Sequence, residues 1–216
     1  MKARLPKVAD RSTELVLIDV NVTVTVMFML ATVERIADLA AAHAGYFTAS
    51  EALVAGVSRR VLSHHVATGT LERVEYGIYR LRRYPTGRLE DLLVVGLWAG
   101  ADAAISHESA LVVYELGEAM PAVTHVTVPR PFRGRRTRVI VHHAPLGSGE
   151  RVLVDAVAVT SVERTLIDLA ASTDPALVEA AARDALDRGL TTRRRLERAV
   201  HGDDIAKTVL GGAIKR

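Results

Sequence analysis

Between Gly56 and Leu81 the chain reads GVSRRVLSHHVATGTLERVEYGIYRL, and few folds accommodate that punctuation. Ser58 can accept from first-turn amides and cap a helix from Arg59 to Thr68, which Gly69 then stops by supplying a positive φ. Leu71 to Val74 and Ile78 to Leu81 read as extended segments joined through Glu75-Tyr76-Gly77, a tight turn in which glycine again takes the left-handed conformation. Upstream, Val33, Ile36, Ala37 and Ala40 form one helical face that ends at Gly45. Thr48-Ala49-Ser50-Glu51 offers a capping box for a second short helix that closes at Gly56. Three short helices followed by a hairpin is the order of a winged helix-turn-helix, expected over residues 30–85.

The third of these helices divides its faces. Leu62, His65 and Val66 can pack inward, while Arg60, Ser63, His64 and Ala67 recur at i, i+3, i+4 and i+7 on another side. An α-helix fits the major groove of DNA and reads it with side-chain donors, for which arginine, histidine and serine serve. Arg59 stands beside that face, and Arg73, Arg80, Arg82 and Arg83 of the ribbon can reach phosphate oxygens. The competing reading is an ordinary helix with a solvated basic face. The order of the helices, the ribbon and the placement of charge favour DNA.

That placement is uneven. The net charge is only +3, yet residues 59–88 hold seven arginines against Glu72 and Glu75, and residues 129–138, PRPFRGRRTR, hold five arginines and no acid. The remainder of the chain is net acidic. Concentrated positive charge suits a polyanion or an acidic partner. The lysines are Lys2, Lys7, Lys207 and Lys215, so Schiff-base chemistry and a lysine-bearing phosphate loop have no place in the body of the chain. Cysteine is absent, which removes disulfides, thiolate metal sites and a cysteine nucleophile.

A length of 216 residues with 49% apolar content allows one generous domain or two small ones. Tyr84-Pro85-Thr86-Gly87 punctuates a boundary. Beyond it, residues 86–216 read as a mixed domain: helices near Leu89 to Ala99 and Ser106 to Leu116, strands near Thr124 to Val128 and Thr137 to His143, and further strands around Val152 to Val159. Thr160-Ser161-Val162-Glu163 is a second capping-box candidate, Asp174-Pro175 starts another helix, and Thr191 or Thr192 starts the last. The class is α+β, an N-terminal winged helix-turn-helix followed by a mixed α/β domain. Residues 1–29 form an extension of uncertain role, where LVLIDVNVTVTVMFML alternates like a half-buried strand. Asp19 and Asn21 interrupt its apolar run and Asp10 and Glu14 spoil a basic leader, so neither a signal peptide nor a membrane span is expected. The reading is a cytoplasmic protein without a membrane partner.

The arginine-rich loop admits three readings: a contact to DNA backbone, a site for an acidic protein surface, or a solvated hairpin tip. Arg130, Phe132, Arg133, Arg135, Arg136 and Arg138 are its candidate partner-binding residues, with Phe132 expected as an exposed aromatic of the kind enriched at interface cores. His107, His125, His142 and His143 invite a metal reading, but neighbouring strand residues point to opposite faces, so His142 and His143 cannot easily share an ion. No metal and no cofactor is expected. Glu163 and Asp168 diverge around a helix, and Arg164 with Asp168 suits an i,i+4 ion pair better than catalysis. Ser106, His107 and Ser109 lack the glycine-flanked elbow of a serine nucleophile. No catalytic residue is assigned.

Taken together, GYFTASEALVAGVSRRVLSHHVATGTLERVEYGIYRL, ISHESAL, HVTVPR and VTSVERTLIDLA resemble the AbiEi family of antitoxins from bacterial type IV toxin-antitoxin systems, over roughly Val33 to Leu196. The resemblance implies an N-terminal winged helix that binds the operon's own promoter DNA and a C-terminal domain, residues 86–216, that counters a cognate nucleotidyltransferase-like toxin. It places Arg59, Arg60 and His64 on the recognition helix, and Arg73, Arg80 and Arg82 on or beside the wing. Residues 1–29 fall outside the family pattern. The expected function is a non-enzymatic antitoxin that represses its own operon. Two alternatives remain, a stand-alone regulator with a ligand-binding second domain and an enzyme that silences its toxin by covalent modification.

Overall fold

A computed structural model describes Met27 and residues 30–117, 119–172 and 174–215. The alternating valine stretch read as a possible strand lies outside the described residues. Helix α1 spans residues 30–42 and is followed by β1 (Tyr46–Thr48), α2 (Ala49–Val54), α3 (Arg59–Ala67), β2 (Leu71–Glu75) and β3 (Ile78–Leu81). The capping box forms as expected: the Thr48 hydroxyl accepts from the Glu51 amide at 3.2 Å, while Glu51 Oε2 accepts from the Thr48 amide at 2.7 Å. Ser58 caps α3 through the Val61 amide. Both caps are local, because a donor, an acceptor and a fixed spacing suffice.

The expected hairpin is joined by a third strand. β1 pairs antiparallel with β3, giving the order β1-β3-β2. Only three residues long, β1 shows no periodicity of its own. It is held because Tyr46 and Phe47 face opposite sides of the sheet and each is fully buried. Phe47 joins Ile36, Leu62, Leu71 and Leu81 in the core of the small domain. Tyr46 and Ile78 instead pack with Leu89, Leu93 and the second core, and the Tyr46 hydroxyl donates to Glu90. Burying Tyr46 and Ile78 there, at about 1.5–3 kcal/mol for each large side chain removed from water, ties the small sheet to the next helix.

The second part runs α4 (Glu90–Ala99), β4 (Ala104–Ile105), α5 (His107–Tyr114), β5 (Thr124–Val128), β6 (Val139–His143), β7 (Arg151–Val154), β8 (Val157–Thr160), α6 (Val162–Ala170), α7 (Pro175–Asp187), α8 (Arg193–Ala199) and α9 (Asp204–Lys215). Its sheet has the order β6-β5-β4-β8-β7, with β4–β8 and β5–β6 parallel and β4–β5 and β7–β8 antiparallel. The α+β class is as read from the sequence. Three details differ. β4 is two residues long, too short to signal itself. The helix capped by Thr192 is not the last, since α9 follows it and buries Ala206, Leu210 and Ala213.

The third difference is at α6. Thr160 stays in β8, where its hydroxyl meets Ile105 and Thr165, so Ser161 becomes the cap and accepts from the Arg164 amide. Glu163 then falls one position early for a capping box. It crosses instead to α8, accepting from the Thr191 hydroxyl and pairing with Arg195 at 2.9 Å. The pair Arg164–Asp168 forms at 2.8 Å as the spacing implied.

Candidate nucleic-acid interface

Helix α3 is seated by Leu62, which is fully buried, with Val61, His65 and Val66 half-buried beside it. That leaves Arg59, Arg60, Ser63, His64 and Ala67 exposed, the division the i, i+3, i+4 spacing predicts. Burial and the adjacent His64 lower the basicity of His65, which suits a histidine that packs rather than one that carries charge outward. The Ser58 cap fixes where the helix begins, and Val57, which is 1% exposed, anchors the turn ahead of it.

In the wing, Gly77 has φ +77 and turns the chain between β2 and β3. The register slips between Arg73 and Glu75, an irregularity that turns the strand locally. Arg73 lies with its guanidinium 5.1 Å from the centre of the Tyr76 ring, and Tyr76 is 88% exposed. Arg82 and Arg83 are exposed at the end of β3, with Arg83 5.9 Å from the Tyr84 ring. Among the described residues, Arg59, Arg60, Arg73, Arg82 and Arg83 have no carboxylate at ion-pair distance. Five guanidinium groups are therefore available to phosphate on the helix and the ribbon.

Arg80 is placed differently from the others. Its side chain is 16% exposed and lies 2.6 Å from Glu72 Oε2, and its Nε is buried without a partner. Arg80 is engaged within the small sheet, where its register partners are Tyr46 and Glu72. The sequence could not separate it from Arg82, because alternation says which face a residue takes but not which face a neighbouring element covers.

The arginine-rich loop departs from its expected shape. Because β5 and β6 are parallel, residues 129–138 are a crossover that returns along the strand, and a hairpin tip does not exist there. Phe132 is half-buried, edge-on to Trp98 with ring centres 4.9 Å apart, so it anchors the crossover in place of standing free. Gly134 passes so close that a Cβ there would lie 2.5 Å from the Phe132 ring and 2.9 Å from Trp98. Arg138, at φ +59, donates twice to the Ala122 carbonyl. Arg136 pairs with Glu75 at 2.7 Å and Arg130 with Asp102 at 3.4 Å. Arg133 and Arg135 are exposed, and among the described residues they have no carboxylate at ion-pair distance.

Three of the four histidines weighed in the sequence as a metal set converge. His107 at the start of α5, His125 in β5 and His142 in β6 stack together, with His107 and His142 ring centres 3.7 Å apart and His125 Nδ1 2.9 Å from His142 Nε2. Burial, then the His142 and His125 rings, hold His107 down to about 3. Burial also depresses His125 and His142. His143 is exposed, as alternation along the strand requires. His107 adopts φ +51, a conformation that histidine tolerates better than most residues. The sequence grouped these histidines by their neighbouring elements, and the parallel register of β5 on β6 with the position of α5 decides which three meet.

Residues 34–82 match the family model described as the transcriptional regulator AbiEi antitoxin. The match covers α2, α3, the three-stranded sheet and most of α1. Among solved structures the chain is similar to the crystal structure of the RV2827C protein from Mycobacterium tuberculosis, at 16% identity and a TM-score of 0.46, with 82% of this chain and 75% of that chain covered. Among curated proteins, none matches the chain. Among the described residues no helix is long and apolar enough to cross a membrane.

Proposed function

We propose that this chain, AbiEi-like in residues 34–82, is an antitoxin that binds the promoter DNA of its own operon and neutralises a cognate nucleotidyltransferase-like toxin. The observation that carries the DNA half is the exposed face of α3, Arg59, Arg60, Ser63 and His64, beside a wing whose exposed Arg73, Arg82 and Arg83 have no carboxylate at ion-pair distance among the described residues. A helix fits the major groove, where arginine can hold guanine through two hydrogen bonds. The wing arginines add phosphate contacts that fix register without reading sequence.

Residues 30–85 carry the DNA function in this reading and residues 86–216 the antitoxin function. Exposed Arg133 and Arg135 offer the second domain's charge to an acidic toxin surface, and the neutralisation has no catalytic step. Gel shifts of the full chain on its own promoter and on a scrambled duplex test the DNA half. The expected result is a preference for the promoter and a steep loss of affinity with salt, whereas equal binding of both duplexes overturns it. Co-expression with the neighbouring gene product tests the other half, growth rescue being the expected outcome.

A further inference from the structure

The stacked histidines lie in the second sheet and its helix α5, apart from α3 and the wing. His107, His125 and His142 offer one ring nitrogen each, and these three atoms lie within 4.8 Å of one another. Their side chains come from three elements, α5, β5 and β6, so no single local motif accounts for the convergence. His125 Nδ1 faces His142 Nε2 at 2.9 Å, and since both are ring nitrogens only one proton can lie between them. His107 uses its Nδ1 toward the Ser106 hydroxyl at 3.0 Å, which leaves Nε2 as its free donor atom.

We propose that His107, His125 and His142 bind a divalent transition-metal ion of the zinc class, with the remaining coordination position taken by water. Bonds of ~2.1 Å in a tetrahedral arrangement set ligand nitrogens about 3.4 Å apart, inside the 4.8 Å that bounds these atoms, and binding turns the stacked rings so that each aims its lone pair at the ion. An all-imidazole donor set suits zinc, cobalt, nickel or copper and disfavours calcium and magnesium, which take oxygen ligands. The Ser106 hydroxyl orients the His107 ring from behind, as the outer partners of metal-bound histidines do. Thr127 shares the strand face of His125 and stands opposite His142 in the register. Its hydroxyl is buried without a partner, so a polar atom is left over on the face that carries the rings. Arg164 is the nearby opposing charge, and it is paired with Asp168 at 2.8 Å and Glu150 at 3.2 Å. Bound metal would tie α5 to the outer edge of the sheet.

The full chain, stripped with chelator, is titrated with cobalt(II) and followed by visible absorption. The expected result is saturation at one equivalent with the intense bands of four-coordinate cobalt, displaced by zinc. His142→Ala and His107→Ala should abolish those bands, while His143→Ala, which alters the opposite face of β6, should keep them. Should the two alanine variants fail to fold, X-ray absorption of the zinc-loaded wild-type chain decides without them, a shell of three imidazoles being expected. Bands of six-coordinate aqueous cobalt with the wild-type chain, an equal loss in His143→Ala, or a zinc shell with fewer than three imidazoles overturns the proposal.

Discussion

Arg136 reaches from the crossover between β5 and β6 to Glu75 at the turn end of the wing, its Nη2 2.7 Å from Glu75 Oε1. The two side chains are only 25% and 35% exposed, so solvent screens the pair less than it would a surface pair. A basic residue of the crossover therefore neutralises an acid in the β2–β3 hairpin. In the proposed DNA-binding role, Glu75 left unpaired would repel a phosphate backbone, a repulsion that Arg136 removes.

Breaking this pair from either end should give unequal results. Arg136→Ala leaves Glu75 free and should weaken promoter binding, whereas Glu75→Gln removes the repulsive charge and should leave binding equal or tighter. The double variant should resemble Glu75→Gln. A double-mutant cycle read by gel shift measures the coupling, expected at about 0.5–3 kcal/mol for contacting residues. A coupling within error of zero would mean that the ion pair does not govern the wing.

The crossover itself should respond to Gly134. A Cβ at that position meets the Phe132 ring and Trp98, and neither ring can retreat without opening the half-buried contact between them. Gly134→Ala should lower stability by about 1–3 kcal/mol, the cost of overpacking a fitted site. Arg133→Glu with Arg135→Glu should leave the melting temperature near wild type, because both side chains are exposed, yet reduce growth rescue. Thermal melts separate the two variants.

What was legible in the sequence follows the range of each interaction. Thr48 with Glu51, Ser58, Asp174 with Pro175, and Thr192 declare their helices because a cap is complete within four residues. The two faces of α3 were likewise legible, since helical periodicity needs no partner. Strand direction was not: the apolar pattern of Thr124 to Val128 is the same whether β6 runs parallel or antiparallel, and that choice decides whether residues 129–138 make a hairpin or a crossover. The fate of Phe132, the diversion of Glu163 to Arg195 and the convergence of His107, His125 and His142 all depend on such non-local pairing.

Glu163 provides a test of the α6–α8 contact. It is 8% exposed and is held by the Thr191 hydroxyl and the Arg195 guanidinium. Glu163→Ala strands the buried Thr191 hydroxyl and should cost about 1–3 kcal/mol. Arg195→Ala leaves the Glu163 carboxylate, itself only 10% exposed, without its guanidinium partner and should cost at least as much. Chemical denaturation of both variants checks the order, and a clearly smaller loss in Arg195→Ala would contradict it.

The capping box of α2 should carry a pH signature. A hydrogen bond from His43, ahead of the amide and hydroxyl of Thr48, holds the Glu51 carboxyl at about 2 against burial that opposes it. A carboxyl depressed in the folded state contributes stability that is fully present above its unfolded value, near ~4.3, and is lost as pH falls toward the folded value. The stability gap between the wild-type chain and Glu51→Gln should therefore be constant above about pH 5 and shrink between there and about pH 2. Thr48→Ala should cost about 1 kcal/mol through loss of the cap. Thermal melts across that range check both, and a gap independent of pH would show that the box owes nothing to the ionised form.

The wing arginines should sort by placement. Arg82 is exposed without a carboxylate at ion-pair distance among the described residues, so a phosphate contact made there would release a counterion. Arg82→Ala should therefore reduce the slope of log affinity against log salt by about 0.9 while leaving the melting temperature unchanged. Arg80 has its charge committed to Glu72 at 2.6 Å, and that pairing holds β2 to β3 beside buried Tyr46. Arg80→Ala should leave the salt slope near wild type, yet lower stability by about 1 kcal/mol as Glu72 loses its charged partner. Arg60→Ala, on the helix, should differ from both by costing about 1–3 kcal/mol on the promoter duplex and much less on the scrambled one, the mark of a base contact. Affinity on both duplexes at several salt concentrations, together with a melt of each variant, distinguishes the three roles. A fall in salt slope for Arg80→Ala equal to that for Arg82→Ala would mean that Arg80 leaves Glu72 to meet the DNA.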